Sequence, residues 1–542
     1  MGRNKNISPI LWMVVLGLFI GFFVSVVTEN IYLKKRPQVI AASKVDEVMY
    51  YINNVYVDTI KESKLEEEAI VAMMDELDPH SQYISLEEFN TVNDPLLGGF
   101  EGIGVQFRIV EDTVAIVNTI KGGPSEKVGI MAGDRIVYVD DSLIAGVKIK
   151  NEGVMRMLKG PKGTKVKVKN YRRGVEGLQE FTITRDVIPT YSVDIAYMLD
   201  GETGYIKLSK FSATTHQEFV VAAKKLKDAG MKQLIFDLRG NGGGYLNEAV
   251  DIADEFLPKG SLVVFTEGRV RPKQAFFARR KGLLENMPVA VLIDGESASA
   301  SEIVAGALQD HDRGTIIGRR SFGKGLVQEQ IMLSDKSAIR LTVAKYYTPT
   351  GRCIQKPFTG KKEDYLLESY DRYENGELFS ADSIHFADSL KYYTPKGKVV
   401  YGGGGIMPDV YVPLVNDSTE YYFNKMVNLG FLYQYAFDYC DTHRQELARY
   451  KNVADFDRSF HVTDAMFKEM TLRAEKKGLK GNEKEKQVAR EEANILLKAY
   501  IARDLFDDEG FYPIYRKMDD VLQKALEVLS SEKKSEISSH SI

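Results

Sequence analysis

The chain has 542 residues, 44% apolar and 27% charged, a balance that suits a folded protein with three or four domains. A net charge of −4 excludes a strong basic field, so nucleic acid is not an expected partner. The two cysteines, Cys353 and Cys440, sit in no CxxC or Cys/His cluster, which argues against a structural zinc site and leaves their pairing open.

Ile10 to Val27 is a charge-free run of 18 residues, roughly 27 Å as helix, with Arg3 and Lys5 before it and Lys34, Lys35 and Arg36 after it. No small-x-small cleavage site follows at Val27–Ile31. The expectation is an uncleaved anchor over 1–36. Residues 38–97 read as helical, because Val45, Val48, Met49, Ile52 and Val55 recur at helical spacing, as do Ala69, Ile70, Met73, Met74 and Leu77. Over 98–187 short β-branched stretches (Val114–Val117, Arg135–Val139, Lys165–Lys169, Phe181–Thr184) alternate with Gly-rich turns, the pattern of a small β-rich domain.

From 188 an α/β rhythm takes over. Gln233–Leu238 and Val289–Ile293 are apolar strands, each followed by a loop and a helix, which predicts a layered core with its ligands at the strand C-termini. This core extends to 412, with a polar, tyrosine-rich excursion at 360–400. Beyond Pro413 the chain reads as helical and charged to about 530, and the Ser/Lys/Glu-rich end, 531–542, is expected to be disordered.

Asp294-Gly295-Glu296-Ser297-Ala298-Ser299-Ala300-Ser301-Glu302 follows an apolar strand and opens a helix. A serine there stands where free N–H groups and the helix dipole favour an oxyanion. Three serines alternate, so position does not choose among them, and Ser299 with Glu302 also reads as a simple capping box. The hydroxyl needs a base. None of the seven histidines shows a motif; His311 lies about three turns along the same helix and His80 follows an Asp-Pro turn. A lysine can serve if burial keeps it neutral, and Phe322-Gly323-Lys324-Gly325 supplies one in an apolar context. That segment is no P-loop, and the glycines of 240–244 lack the order of a dinucleotide fingerprint.

Together these segments resemble the carboxyl-terminal processing (tail-specific) proteases. The resemblance rests on Leu77-Asp78-Pro79-His80-Ser81, Gly102-Ile103-Gly104-Val105, Asp237-Leu238-Arg239-Gly240-Asn241-Gly242-Gly243-Gly244, Ser297–Ile303, Phe322–Gly325 with Val327-Gln328, and Tyr347–Arg352, in that order over roughly 40–412. It implies a multidomain α+β protein: a crotonase/ClpP-like layered α/β peptidase core (188–412) with an inserted PDZ domain (98–187), an N-terminal helical segment and a C-terminal helical region (413–530). It further implies Ser299 as nucleophile, Lys324 as general base and Gln328 as its orienting partner, with Gly244 and Ala300 N–H groups as oxyanion donors. Gly102, Ile103, Gly104 and Val105 look like the carboxylate-binding loop of a PDZ domain, and Gln106–Arg108 would pair with the peptide as an added strand.

The activity so implied is serine endopeptidase action on proteins with apolar C-termini, with no cofactor or metal. The anchor adds the membrane as a partner and puts the chain in a bacterial inner membrane, single-pass, with its catalytic part in the periplasm. A homodimer is open. The competing readings are a membrane-tethered PDZ scaffold with an inactive core and a crotonase-like thioester enzyme. On a straight strand Lys324 and Gln328 lie roughly 13 Å apart, so the chain must bend for them to touch, with Gly325 the expected place.

Overall fold

In the computed structural model, which describes residues 16–17, 19–25, 27, 43–358, 360–415 and 421–539, the apolar runs near 233 and 289 become neighbouring parallel strands. Their sheet runs Val193–Met198, Thr203–Leu208, Gln233–Asp237, Val289–Ile293, Thr315–Gly318, Val410–Tyr411, parallel from the second strand onward. Both faces are buried, which is why these strands are apolar throughout instead of alternating. Leu234, Phe236, Val291 and Ile293 face a core shared with the helices Thr215–Asp228, Leu246–Asp254 and Ala300–Asp310. Ile235, Ala290, Leu292 and Ile317 face the opposite way, onto Val521, Leu522, Ala525 and Leu529 of the helix Asp520–Ser539.

A second, antiparallel sheet lies beyond the helices: Gln82–Ile84, Ala338–Tyr347, Leu262–Glu267 and Gln274–Phe277, with Leu326–Met332 also paired to Ala338–Tyr347. Its first strand falls in the stretch read as helical. Three residues are too few for a period to register, and pairing with Ala338–Arg340 makes them a strand. The end of the chain differs as well. The helix from Asp520 runs on to Ser539, into the stretch 531–542 where disorder was expected; its residues Val521, Leu522, Ala525 and Leu529 are seated on the parallel sheet.

Two compact units divide the chain, 1–76 and 77–542. The first contains the helices Lys44–Val55 and Glu62–Asp75; Ser43 and Asp46 form a capping box at the start of the former, and Asn53 donates to Glu62 at 2.6 Å. Of the charge-free run 10–27 on which the anchor over 1–36 is read, residues 10–15, 18 and 26 lie outside the described residues. Among the described residues no helix is long and apolar enough to cross a membrane. The longest, Glu483–Tyr515, carries acidic and basic residues along its length. The single-pass inner-membrane location, the periplasmic side and the membrane as partner are corrected accordingly.

The β-rich region forms its own sheet, in the order Val105–Val110, Thr113–Thr119, Arg135–Val139, Lys165–Tyr171, Leu178–Thr184, over a separate core that includes Ile103, Val114, Ile136, Val154 and Val168. The C-terminal helices Tyr421–Asn428, Phe431–Thr442, Val453–Ser459, Asp464–Lys476 and Glu483–Tyr515 enclose another. The two bodies meet through polar contacts. Asp441, almost wholly buried, accepts from Arg135 at 3.3 Å and Arg444 at 3.1 Å; Arg444 also donates to the Ala132 carbonyl, and the Arg108 guanidinium lies 3.9 Å over the Tyr433 ring. Asp441→Ala removes the shared acceptor, and because the arginines are partly exposed the cost is about 1–2 kcal/mol. Amide exchange over 131–139 is expected to accelerate about tenfold while 233–237 is unchanged. Equal exchange in both proteins would deny this contact any role.

Candidate active site

The serine-rich loop follows the central strand Val289–Ile293 and enters the helix Ala300–Asp310, so its hydroxyls gather at the C-terminal edge of the parallel sheet. The structure separates the three. Ser297 Oγ donates to the Leu238 carbonyl and Ser301 Oγ to the Asn241 carbonyl, each at 2.8 Å. Among the described residues the Ser299 hydroxyl proton has no acceptor, and Ser299 lines a cavity of about 360 Å³. Its backbone is at φ 55°, ψ −111°, a conformation that costs a non-glycine residue about 1–3 kcal/mol and that concentrates at functional sites.

Glu302 holds that conformation. Its buried carboxylate accepts from the Ser299 N–H at 2.7 Å, closing the expected capping box, and from Ser321 Oγ at 2.5 Å, the Gly323 N–H at 2.7 Å and the Lys324 N–H at 2.9 Å. Burial raises its pKa, against the lowering effect of these four donors. The carboxylate therefore ties the serine turn to the lysine loop. The sequence showed Glu302 only as a cap; its other partners, 19 to 22 residues on, leave no local signal.

Lys324 lines the same cavity and donates to Gln328 Oε1 at 3.0 Å. The bend this requires is a β-bulge between Val327 and Gln328 in the strand Leu326–Met332. Gly325 serves another purpose: a Cβ there would come within 2.8 Å of the Gln355 nitrogen, and its N–H donates to Gln355 Oε1 at 2.8 Å. Burial, and then the positive charge of Arg340, lower the Lys324 pKa, while Asp78 and Glu302 act to raise it. Gln328 is held from behind, its amide donating to the His80 carbonyl at 2.5 Å. His80 itself has its pKa pushed down to about 4 by burial and by Lys324, and its ring meets the Tyr365 hydroxyl at 2.9 Å. Among the described residues neither it nor His311, which reaches the Leu262 carbonyl at 2.7 Å, hydrogen-bonds Ser299. No hydrogen bond joins Ser299 to Lys324 directly; they border one cavity.

The glycine loop after Gln233–Asp237 lies against the serine turn. A Cβ on Gly243 would meet the Ala298 carbonyl at 2.7 Å and the Ala300 nitrogen at 3.0 Å, so only glycine permits this approach. Gly244 bridges to Phe211, and the Tyr245 N–H donates to the Phe211 carbonyl at 2.8 Å. Among the described residues the N–H groups of Gly244 and Ala300 have no acceptor. The 360–400 excursion also reaches the site, where Arg372 donates to the Ser321 carbonyl at 2.9 Å and the Phe322 carbonyl at 3.2 Å, just ahead of Lys324. Nothing in the sequence announced that contact.

Gly102, Ile103, Gly104 and Val105 lie apart from this cavity: Gly102 ends a two-stranded ribbon paired with Asp186–Pro189, and Ile103 and Gly104 connect it to Val105, the first residue of the β-rich sheet. The Ile103 and Gly104 carbonyls accept from Ser125 at 3.1 Å and Ile120 at 3.0 Å. Among the described residues the N–H groups of Ile103 and Gly104 have no acceptor, and Val105–Val110 is an edge strand.

Comparison with known proteins identifies the family. Peptidase family S41 matches residues 202–367, the PDZ domain family matches 102–183, and a family of unknown function matches 422–507. The carboxy-terminal-processing protease of Bartonella bacilliformis is 37% identical over 346 residues, 63% of this chain and 79% of its own length. The carboxy-terminal processing protease CtpA of Bacillus subtilis is 35% identical over 314 residues, 58% of this chain and 66% of its own. A solved photosystem II D1 C-terminal processing protease is 25% identical with a TM-score of 0.37, covering 68% of this chain and 86% of that one. With such identity across most of a curated relative, the chain belongs to the carboxy-terminal processing proteases of peptidase family S41, serine-type endopeptidases that here carry a PDZ domain.

Proposed function

We propose that the protein captures the C-terminus of a protein substrate on its PDZ domain and cuts the chain through a Ser299–Lys324 acyl-enzyme mechanism. Neutral Lys324 takes the hydroxyl proton of Ser299, whose Oγ attacks the scissile carbonyl carbon. The N–H groups of Gly244 and Ala300 stabilise the oxyanion. The C–N bond breaks, the amine leaves with the proton held by Lys324, and water, deprotonated by the same lysine, releases the acyl group. Gln328 aims the lysine. The observation that carries this reading is a serine hydroxyl with an uncommitted proton, on a strained helix-entry turn, in the same cavity as a buried lysine of lowered pKa. Ser299 and Lys324 border one cavity without direct contact, and catalytic hydrogen bonds of this kind tighten in the Michaelis complex.

Substrate capture is assigned to Gly102–Val105, where the unclaimed N–H groups of Ile103 and Gly104 suit a terminal carboxylate, and to the outer edge of Val105–Val110, which suits an added apolar strand. The core over 188–412 is read as crotonase/ClpP-like, the PDZ domain as 98–187, and 413–530 as a helical region. A serine-directed fluorophosphonate tests the chemistry. Incubated with the full chain, it is expected to label Ser299 alone, as read by peptide mass spectrometry, and to stop cleavage of an unfolded reporter with an apolar C-terminus. Label on Ser297 or Ser301, or continued cleavage by the labelled protein, would remove Ser299 from its role.

A further inference from the structure

Arg340 lines the catalytic cavity from the strand Ala338–Tyr347. Arginine stays charged at any pH the protein meets, and a guanidinium in a half-buried wall calls for an anion. Among the described residues Arg340 has no carboxylate within ion-pair distance, and its one hydrogen bond is a long one, 3.4 Å, to Gln330 Oε1. Burial lowers its pKa, against a raising effect of Tyr245. Among the described residues no acidic side chain lines the cavity; its walls are apolar at Leu96, Leu246, Ile303 and Val327. If Lys324 is neutral as the mechanism needs, Arg340 is the cavity's single permanent charge.

The position of that charge is set by register. Arg340 pairs with Gln330, and Gln330 follows Gln328 by two residues on the same strand face, so Arg340 stands about 7 Å along the strand from Gln328. An extended substrate advances about 3.3 Å per residue. The geometry points to Arg340 as a specificity-determining residue that binds a substrate carboxylate about two residues from the scissile bond. This rests on the peptidase reading given above. The carboxylate has two sources: an Asp or Glu side chain within a continuing chain, or the α-carboxylate of a chain that ends there.

Internally quenched peptides that share one apolar C-terminal sequence separate these cases. Glu is moved through the three positions on either side of the bond and compared with Gln at each; a further pair stops two residues past the bond as free acid or amide. With the full-length protein, one Glu position, or the short free acid, is expected to exceed its neutral counterpart in kcat/KM by about tenfold or more, the scale of a charge-assisted hydrogen bond. Arg340→Gln is expected to bring that ratio near one, and Arg340→Glu to favour Lys at the same position. A ratio that stays the same in wild type and Arg340→Gln, or a variant that slows every peptide alike, overturns the assignment and leaves Arg340 as a neighbour of Lys324 only. Failure of the wild type to cut any peptide would instead sink the peptidase reading together with this one.

Discussion

Alanine at Lys324 is expected to lower kcat/KM about ten-thousandfold, alanine at Ser299 by about as much, and the double replacement by no more than either alone. A nucleophile and its base act as one device, so losing either leaves only binding and the oxyanion donors. The pH profile supplies the sign. Burial first, then Arg340, lower the Lys324 pKa in the folded protein from the ordinary 10.5, against Asp78 and Glu302. The active form is the neutral amine, so the rate is expected to climb with pH and level off above a midpoint below 10.5. A depressed folded pKa also means that this group's contribution to stability is present above the unfolded value and is lost as pH falls through the folded one. Kinetics of purified full-length variants on one quenched peptide check all of this. Losses that multiply in the double variant, or a rate independent of pH in the wild type, would separate the two residues.

The parallel strands were legible because burial on both faces leaves them apolar end to end, as in Val289–Ile293. The helix after Ser299 was legible from its cap. Which serine carries an uncommitted proton was not, because the decision lies with the Leu238 and Asn241 carbonyls, 59 and 60 residues earlier in the chain. The Lys324–Gln328 contact was legible as a requirement and not as a mechanism: the bulge at Val327/Gln328 depends on the partner strand's register. Arg340, Arg372 and His80 enter the site from a strand, an excursion helix and a turn, each through pairing that no local pattern encodes. The charge-free run 10–27, its flanking Arg3 and Lys5 and the missing cleavage site suggested the anchor over 1–36, and among the described residues no helix meets the length and apolarity that a span needs.

Arg239→Ala is expected to be the most destabilising single change near the site. Asp237 ends the strand that delivers the glycine loop, and it is fully buried. Burial raises its pKa, but the charges of Arg239 and Lys207 and the bonds from Arg239 and Tyr205 win, and hold it well below the usual carboxylate range. Arg239 donates to Asp237 at 2.6 and 3.0 Å and forks onto Asp519 at 2.8 and 2.7 Å, which clips the head of the helix Asp520–Ser539 to the root of the glycine loop. Without the guanidinium a buried carboxylate loses its main partner, at a cost of about 3–5 kcal/mol. The chain has several cores, so a single midpoint would blur the effect; amide exchange over 234–238 and 521–529 is the right readout. Arg239→Lys keeps the charge without the fork and is expected to fall between. A depressed Asp237 pKa makes this stabilisation fully present above the unfolded value of about 4 and lost as pH falls toward the folded one, so the two proteins are expected to converge in acid. If exchange in both segments matched the wild type at neutral pH, the ion-pair clip would contribute nothing. If only the helix loosened, Asp519 would be the partner that matters and the glycine loop would be held by Asn241, which donates to the Leu208 carbonyl at 2.8 Å.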